Sequence, residues 1–138
     1  MMSFTGGCRC GQIRYAVSAE PLFAAHCHCR DCQYASGTGF SSVLAVPTAS
    51  FRLTAGEPRA FDVAAESGNI VSRKFCPNCG SPLFSELKAA PGVWIVKAGS
   101  LDDPGIMKPS MHIWCDSAQT WMPSNDGLPH FPKNPPLA

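Results

Sequence analysis

The sequence carries little charge of either sign and has no surplus of basic residues. Its 138 residues include 11 Lys and Arg against 10 Asp and Glu, so that 15% of residues are charged and the formal net charge is +1. An average globular protein carries about 25% charged residues. Binding to nucleic acid or to an anionic membrane requires clustered Lys and Arg. We therefore expect neither a nucleic acid nor a membrane as a partner.

Long hydrophobic runs are missing as well. No stretch approaches the roughly 18 apolar residues of a membrane-spanning helix, and residues 1–7 lack the basic and apolar regions of a secretory signal. These absences predict a cytoplasmic protein. Because cytosolic thiols are kept reduced, the eight cysteines favour metal binding or catalysis over disulfides.

Regular structure should be short and mainly β. Thirteen prolines and twelve glycines break the chain at strand-like intervals. The best helix candidate is the short stretch 29–35. Several of the short apolar segments alternate with polar residues or are rich in β-branched and aromatic residues. We predict strands at 13–17, 40–46, 51–53, 70–75 and 93–96.

The length of the chain fits one domain, which we predict over residues 1–128. The Pro-rich residues 129–138 are typical of an extended tail with little core to join. We expect this tail to follow the surface or to fray.

Two cysteine pairs indicate a structural metal site. The two residues between Cys76 and Cys79 let the chain turn so that both thiolates reach one ion, and Gly80 can supply the positive φ that such a turn often needs. A redox role is disfavoured because no thioredoxin-like βαβ pattern surrounds this pair. Structural zinc needs four ligands, and Cys8 with Cys10 is the best second pair. Loss of this four-cysteine zinc site should unfold the domain.

Three further cysteines, Cys27, Cys29 and Cys32, lie within six residues. A zinc site with three protein ligands keeps its fourth tetrahedral position for water or substrate, as catalytic sites do. Three thiolates on a dication give a formal charge of −1 and keep the ion thiophilic. We therefore predict a second zinc site here, with an open position that takes a sulfur ligand.

A further thiolate at this second site would bring the formal charge to −2. Cations or N–H donors should then lie close by to offset it. The candidates that the sequence offers are Arg30, Arg73, Lys74 and His28.

A purely structural second site stays open as an alternative. Closed four-ligand sites are the norm for structural zinc, and either Cys115 or a histidine could complete one. His26 and His28 flank Cys27, but a histidine beside a ligand is as easily a neighbour as a ligand, so neither is included in the ligand set. Cys115 follows Trp114, and we expect it to pack as a small apolar side chain.

Three cysteine motifs follow one another in a characteristic order: GCRCGQIRY at 7–15, CHCRDC at 27–32 and FCPNCGSPL at 75–83. Together they resemble the glutathione-dependent formaldehyde-activating family, which shares its domain with centromere protein V. The resemblance covers roughly residues 7–121. Smaller matches to the family pattern are Gly37, Gly56, Glu57, Pro58, His112, Ile113, Trp114, Ser117 and Trp121.

The resemblance implies several short, coiled β-sheets around zinc, the Mss4-like or β-tent fold, with little helix. It also implies a partition of the ligands. The structural zinc belongs to Cys8, Cys10, Cys76 and Cys79, and a second zinc, linked to glutathione and activity, belongs to Cys27, Cys29 and Cys32. Many members place one or two basic residues directly after the second motif, whereas this chain has Gln33 and Tyr34. The identity of the thiol substrate therefore stays open.

The leading functional hypothesis is a zinc-dependent carbon–sulfur lyase that acts on the adduct of a small thiol such as glutathione with a small aldehyde such as formaldehyde. The open position would hold the sulfur as thiolate. No catalytic residue is assigned, although His26 and His28 are conceivable proton carriers because histidine titrates near neutrality. One alternative is a non-catalytic, zinc-stabilised binding or scaffold domain. Another is a redox or metal-storage protein in which the second-site cysteines form disulfides reversibly.

Overall fold

The computed structural model describes residues 3–122 and 125–135. Residues 1, 2, 123, 124 and 136–138 lie outside the described residues, and they include parts of the predicted domain and of the predicted tail. Among these described residues, none of the helices has the length and apolar character of a membrane span.

Ten short strands and one short helix make up the regular structure of residues 3–122 and 125–135. In chain order these are β1 (Phe4–Gly7), β2 (Arg14–Val17), β3 (Phe23–Cys27), α1 (Arg30–Ser36), β4 (Ser41–Pro47), β5 (Phe51–Ala55), β6 (Arg59–Ala64), β7 (Ile70–Phe75), β8 (Pro82–Leu87), β9 (Val93–Lys97) and β10 (Met111–Ile113). Short 3-10 turns connect several of them, and the last one covers Cys115–Ser117.

The strands form two sheets. A three-stranded sheet has the order β1-β2-β5, and a seven-stranded sheet has the order β10-β3-β4-β9-β8-β7-β6. Neighbouring strands are antiparallel except β10, which pairs in parallel with β3. The prediction of a mainly β protein with several short sheets and little helix is confirmed, and the cysteine groups described below are consistent with the Mss4-like fold.

The five predicted strands correspond to β2, β4, β5, β7 and β9, and the predicted helix corresponds to α1. The helix is only seven residues long, but both of its ends are capped. The Cys29 sulfur accepts a hydrogen bond from the backbone N–H of Cys32, and Gly37 takes the left-handed conformation with φ 75°. Caps of this kind stabilise a helix that would be marginal on its own.

The main core lies between the two sheets and is aromatic at its centre. Tyr15 and Phe51 of the small sheet stack with ring centroids 4.9 Å apart, and Phe51 lies 4.6 Å from Phe84 of the large sheet. Phe84 in turn stacks on Trp94 at 4.9 Å. These rings hold the sheets face to face. Gly6 is required beside them, because a Cβ there would lie 2.4 Å from the Tyr15 hydroxyl oxygen.

The properties of Tyr15 indicate that the main core excludes water. Its hydroxyl lies 2.6 Å from the Ser100 hydroxyl, and burial raises the pKa of Tyr15 to about 12 from the ordinary 10.0. Because the pKa of Tyr15 is higher in the folded protein than in the unfolded chain, the neutral phenol contributes to stability fully below pH 10. This contribution is lost as the pH rises towards 12.

In Tyr34→Phe, Tyr15 is the remaining tyrosine, so the ultraviolet absorbance of phenolate measures the titration of Tyr15. We expect a midpoint near 12, and a midpoint near 10 in protein that is still folded would contradict this packing.

A second, smaller core lies at the β10 edge of the large sheet. Its buried members are Ala25, Cys27, Cys29, Cys32 and Ile113. Trp114 and Phe131 pack against them. The sequence predicted little core for the Pro-rich tail, but Phe131 joins this cluster and its backbone N–H donates to the His112 carbonyl over 2.9 Å. Residues 129–134 run along β10 and help to cover the second core.

Candidate metal centres and the adjoining cavity

Four thiols converge between β1 and the turn that joins β7 to β8. The sulfurs of Cys8, Cys10, Cys76 and Cys79 all lie within 4.8 Å of one another. The Cys8 and Cys10 sulfurs are 3.5 Å apart, and those of Cys10 and Cys76 are 3.7 Å apart. A tetrahedral zinc ion with bonds of about 2.3 Å to sulfur separates its ligand sulfurs by about 3.8 Å. The four thiols therefore fit a metal ion of this kind without rearrangement.

Backbone N–H groups surround these sulfurs. Ile13 donates to the Cys8 sulfur over 3.2 Å, and Asn78 and Cys79 each donate to the Cys76 sulfur over 3.4 Å. Hydrogen bonds from the hydroxyl and the backbone of Ser81 lower the pKa of Cys79 to about 5. Donors of this type favour the thiolate, which is the form of cysteine that binds metal. The site could hold a metal ion, and it would then join segments 66 residues apart.

Three more thiols converge where β3 runs into α1. Cys27 ends β3, Cys29 caps the helix and Cys32 lies in its first turn. All three are buried, with their sulfurs within 4.8 Å of one another. In the described part of the chain, no fourth Cys, His, Asp or Glu ligand atom joins this group, so neither Cys115 nor a histidine closes it. The site could hold a metal ion with an open coordination position.

Gln33, which directly follows the three-cysteine motif, holds the backbone around the three thiols in place. Its side-chain amide donates to the His28 carbonyl over 2.8 Å and to the Ser117 carbonyl over 3.0 Å. Tyr34 instead points outward and is 80% exposed. Gln33 is therefore a buried amide that ties α1 to the segment after β10.

Positive charge lies beside the three thiols. Hydrogen bonds from Cys27 and Cys29 hold the pKa of Cys32 well below its usual value, and the charges of Lys97 and Arg73 lower it further against the effect of burial. Lys97 is only 9% exposed, and its ammonium donates to the Ser41 hydroxyl over 2.9 Å. Two basic side chains thus lie beside the three thiols, and their charges favour the thiolate of Cys32.

Of the predicted counter-charges, the structure places Arg73 beside the three thiols. It also places Lys97 there, which was not predicted. Lys74 pairs instead with Glu86 over 2.9 Å. Arg30 hydrogen-bonds to Gln33 and lies over the Tyr34 ring, outside the cavity described next. Lys97 could not be found from local sequence, because it reaches the site through the pairing of β9 with β4.

A cavity of about 240 Å³ opens beside the three cysteines. Its charged side chains are Glu66, Arg73 and Lys97 among the described residues. Most of the remaining lining is apolar and comes from Phe23, Val43, Ile70, Val71, Leu87, Ile95, Ile113 and Trp114. A concave apolar site with a few convergent polar groups is typical of a small-molecule pocket.

Trp114 lines the cavity and has an unusual backbone conformation. It adopts a left-handed backbone conformation with φ 57°, which is costly for an aromatic residue, and strain of this kind is concentrated at functional sites. Its indole N–H donates to the Asn134 side chain over 2.9 Å. In the 3-10 turn that follows, the Ser117 hydroxyl donates to Glu66 over 2.7 Å. The turn after β10 therefore links residues of the C-terminal segment to the loop between β6 and β7.

All four histidines pack against one another, and none of them lines the cavity. His28 is fully buried, and burial lowers its pKa to about 4, so its ring is neutral. Its Nε2 lies 2.8 Å from Nδ1 of His112, whose Nε2 lies 2.8 Å from Asp126. His26 lies 2.8 Å from the Ser42 hydroxyl, and burial lowers its pKa too. Neither His26 nor His28 faces the cavity beside the three cysteines.

Comparison with known proteins agrees with this architecture. A family model described as glutathione-dependent formaldehyde-activating enzyme matches residues 3–117. A crystal structure of a Rhodobacter sphaeroides protein is similar in fold, with a TM-score of 0.61 over 91% of this chain and 98% of that one. The two sequences are 16% identical, so the likeness concerns the fold alone.

Proposed function

The chain belongs to the glutathione-dependent formaldehyde-activating enzyme family, and from this premise we propose that it is a zinc-dependent carbon–sulfur lyase. Its substrate would be the adduct of a small thiol such as glutathione with a small aldehyde such as formaldehyde. Cys8, Cys10, Cys76 and Cys79 would hold a structural zinc ion, and Cys27, Cys29 and Cys32 a second one. The observation that carries the proposal is the three-thiol group, which has no fourth protein ligand in the described residues and borders a cavity.

The second zinc ion, when bound, would supply a thiophilic Lewis acid with an open position for a sulfur ligand. The protein's own residues set the charge at this position. Three thiolates on a dication leave a formal charge of −1, and Lys97 with Arg73 brings this charge to +1. Glu66 also lines the cavity but is left out of this sum, because it is exposed to water and accepts a hydrogen bond from Ser117. One substrate thiolate then makes the site neutral. Because an unbalanced buried charge is costly, this composition favours a ligand that brings one negative charge.

The apolar lining of the cavity would exclude water from the bound adduct. Phe23, Val43 and Ile95 line the cavity and would displace water from the carbon next to the sulfur. In a drier site the interaction between Lys97 or Arg73 and a sulfur that leaves as thiolate is stronger. Lys97 and Arg73, in this apolar surrounding, would therefore stabilise the negative charge that develops on sulfur as the carbon–sulfur bond breaks.

The test uses zinc-loaded protein with glutathione and formaldehyde. We expect the protein to bind glutathione and to accelerate the exchange between free formaldehyde and S-hydroxymethylglutathione, in proportion to protein concentration. Exchange NMR at equilibrium with labelled formaldehyde measures the rate, and native mass spectrometry detects the glutathione complex. Two bound zinc ions with neither binding nor acceleration would instead support a scaffold domain. Reversible disulfide formation with metal release, followed by thiol counting, would support a redox protein.

A further inference from the structure

The C-terminal segment 129–135 forms part of the wall of the cavity beside the three cysteines. Asn134 and Pro135 line this cavity, as does Trp114, which directly follows β10. The family model matches residues 3–117, so Asn134 and Pro135 lie outside the matched part of the chain. Membership of the family therefore does not account for this part of the cavity wall.

The segment is held against β10 by backbone hydrogen bonds and by one aromatic ring. The backbone N–H groups of His112 and Trp114 donate to the carbonyls of Pro129 and Lys133 over 2.8 and 3.0 Å. The Phe131 ring packs against the core that contains the three cysteines. Because these contacts are present without a ligand, the protein has already met the cost of ordering this wall before a ligand binds.

The Asn134 side chain has a defined orientation. Its Oδ1 atom accepts a hydrogen bond from the Trp114 indole N–H over 2.9 Å. An indole N–H can only donate, so the amide oxygen of Asn134 faces the indole and the NH2 group faces away from it. Asn134 is an exposed residue that also lines the cavity, so a ligand in the cavity can reach its NH2 donors.

The other polar side chains of the cavity are less suited to bind the organic part of a thiol. Lys97 already donates to the Ser41 hydroxyl. Glu66 accepts a hydrogen bond from Ser117, and its carboxylate would repel another carboxylate. The Asn69 amide also lines the cavity, but no described residue holds it in one orientation. Asn134 is therefore the donor that is both accessible and fixed in place.

A thiol bound at the open position beside Cys27, Cys29 and Cys32 has its organic part in the same cavity. We propose that the NH2 group of Asn134 donates a hydrogen bond to a carbonyl or carboxylate oxygen of this organic part. The site then selects thiols that carry such an oxygen, as peptide thiols do, over plain alkanethiols. Asn134 is a specificity-determining residue, and this assignment rests on the thiol site of the function proposed above.

The test measures thiol affinity after replacement of the Asn134 amide in zinc-loaded protein. Asn134→Asp keeps the oxygen that accepts from the Trp114 indole, but a negatively charged oxygen replaces the NH2 donors. Calorimetry measures the affinities for glutathione, which carries several carbonyl and carboxylate oxygens, and for 1-propanethiol, which carries none. We expect the glutathione affinity to fall by at least about tenfold, and that of 1-propanethiol to change by less than about twofold.

Lys133→Gln is the matched control. It changes the net charge of the protein by the same amount as Asn134→Asp, at the neighbouring residue. Lys133 does not line the cavity, and its ammonium lies over the Trp114 ring. We expect Lys133→Gln to bind glutathione within about twofold of the wild type, because solvent screens an exposed charge. Equal losses in the two variants would assign the effect to charge alone and overturn the role of Asn134.

The remaining outcomes separate this assignment from the lyase proposal. Unchanged glutathione affinity in Asn134→Asp overturns the role of Asn134 alone. Asn134→Ala, which removes the donors without adding charge, replaces Asn134→Asp if that variant does not fold, with an expected loss of about tenfold. Failure of the wild type to bind either thiol overturns both proposals. The expected loss in Asn134→Asp, with no acceleration of formaldehyde exchange by the wild type, overturns the lyase proposal and supports the role of Asn134 in binding.

Discussion

Cys76→Ser should unfold the protein. The Cys76 side chain is fully buried, and its sulfur accepts two backbone hydrogen bonds inside the four-thiol group. Binding of a structural zinc ion contributes about 10–16 kcal/mol in zinc-finger peptides, whereas a whole domain is stable by only about 5–15 kcal/mol. Loss of one ligand should therefore remove most of the free energy of unfolding. Circular dichroism should detect no cooperative thermal transition, and native mass spectrometry no folded species with two zinc ions.

Cys115→Ser is the control for this prediction. Cys115 belongs to neither group of convergent thiols in the described residues and is only partly buried. We expect its replacement to shift the unfolding free energy by about 1 kcal/mol or less, as is usual outside special sites. A cooperative transition in Cys76→Ser close to that of Cys115→Ser would mean that the four-thiol group does not stabilise the fold through a metal.

Cys29→Ser, in contrast, should leave a folded protein with one zinc ion and no lyase activity. Serine can still cap α1 in place of the Cys29 sulfur, so the local backbone keeps its hydrogen bond to the Cys32 N–H. Only the thiol ligand is lost. A metal ion that polarises the substrate contributes several kcal/mol to the transition state, and each 1.36 kcal/mol changes the rate by tenfold. We expect the exchange of formaldehyde with the glutathione adduct to slow by at least about 1,000-fold.

Native mass spectrometry of Cys29→Ser, with and without glutathione, measures zinc content and thiol binding together. The expected spectrum contains the one-zinc form without a glutathione complex. Two tightly held zinc ions with a wild-type rate of exchange would refute the role of the three-thiol group. Loss of both zinc ions would mean that the two sites are not independent.

The sequence predicted the parts of the fold that local pattern controls. Strands β2, β4, β5, β7 and β9 contain apolar and β-branched residues bounded by turn residues, and each was predicted where it occurs. Strand β6 was missed because nearly all of its side chains are exposed, so that no side of it has to be apolar. Strand β10 was missed because it has only three residues and depends on its parallel pairing with β3. Pairing between distant segments leaves no local signal.

The same distinction applies to the candidate site. The sequence predicted both groups of thiols, and the structure brings the members of each group together. Two or fewer intervening residues allow the thiols of one motif to reach a common ion. The sequence did not identify Lys97 or Glu66, which reach the cavity from two distant segments. Trp114 was noted only as a match to the family pattern, and its place in the cavity lining and its left-handed conformation were found from the structure. Side chains placed by sheet topology require the fold before they can be identified.

The parallel pairing of β10 with β3 also bears on the biosynthesis of the protein. His112 lies 84 residues after its partner His28 in the chain. A ribosome that adds about 5–20 residues per second needs about 4–17 s to reach β10 after it has made the three-cysteine motif. During this interval Cys27, Cys29 and Cys32 lack the strand that covers them in the folded protein. Metal delivery to the nascent chain can therefore precede closure of the site, and oxidants have access to the same thiols for the same time.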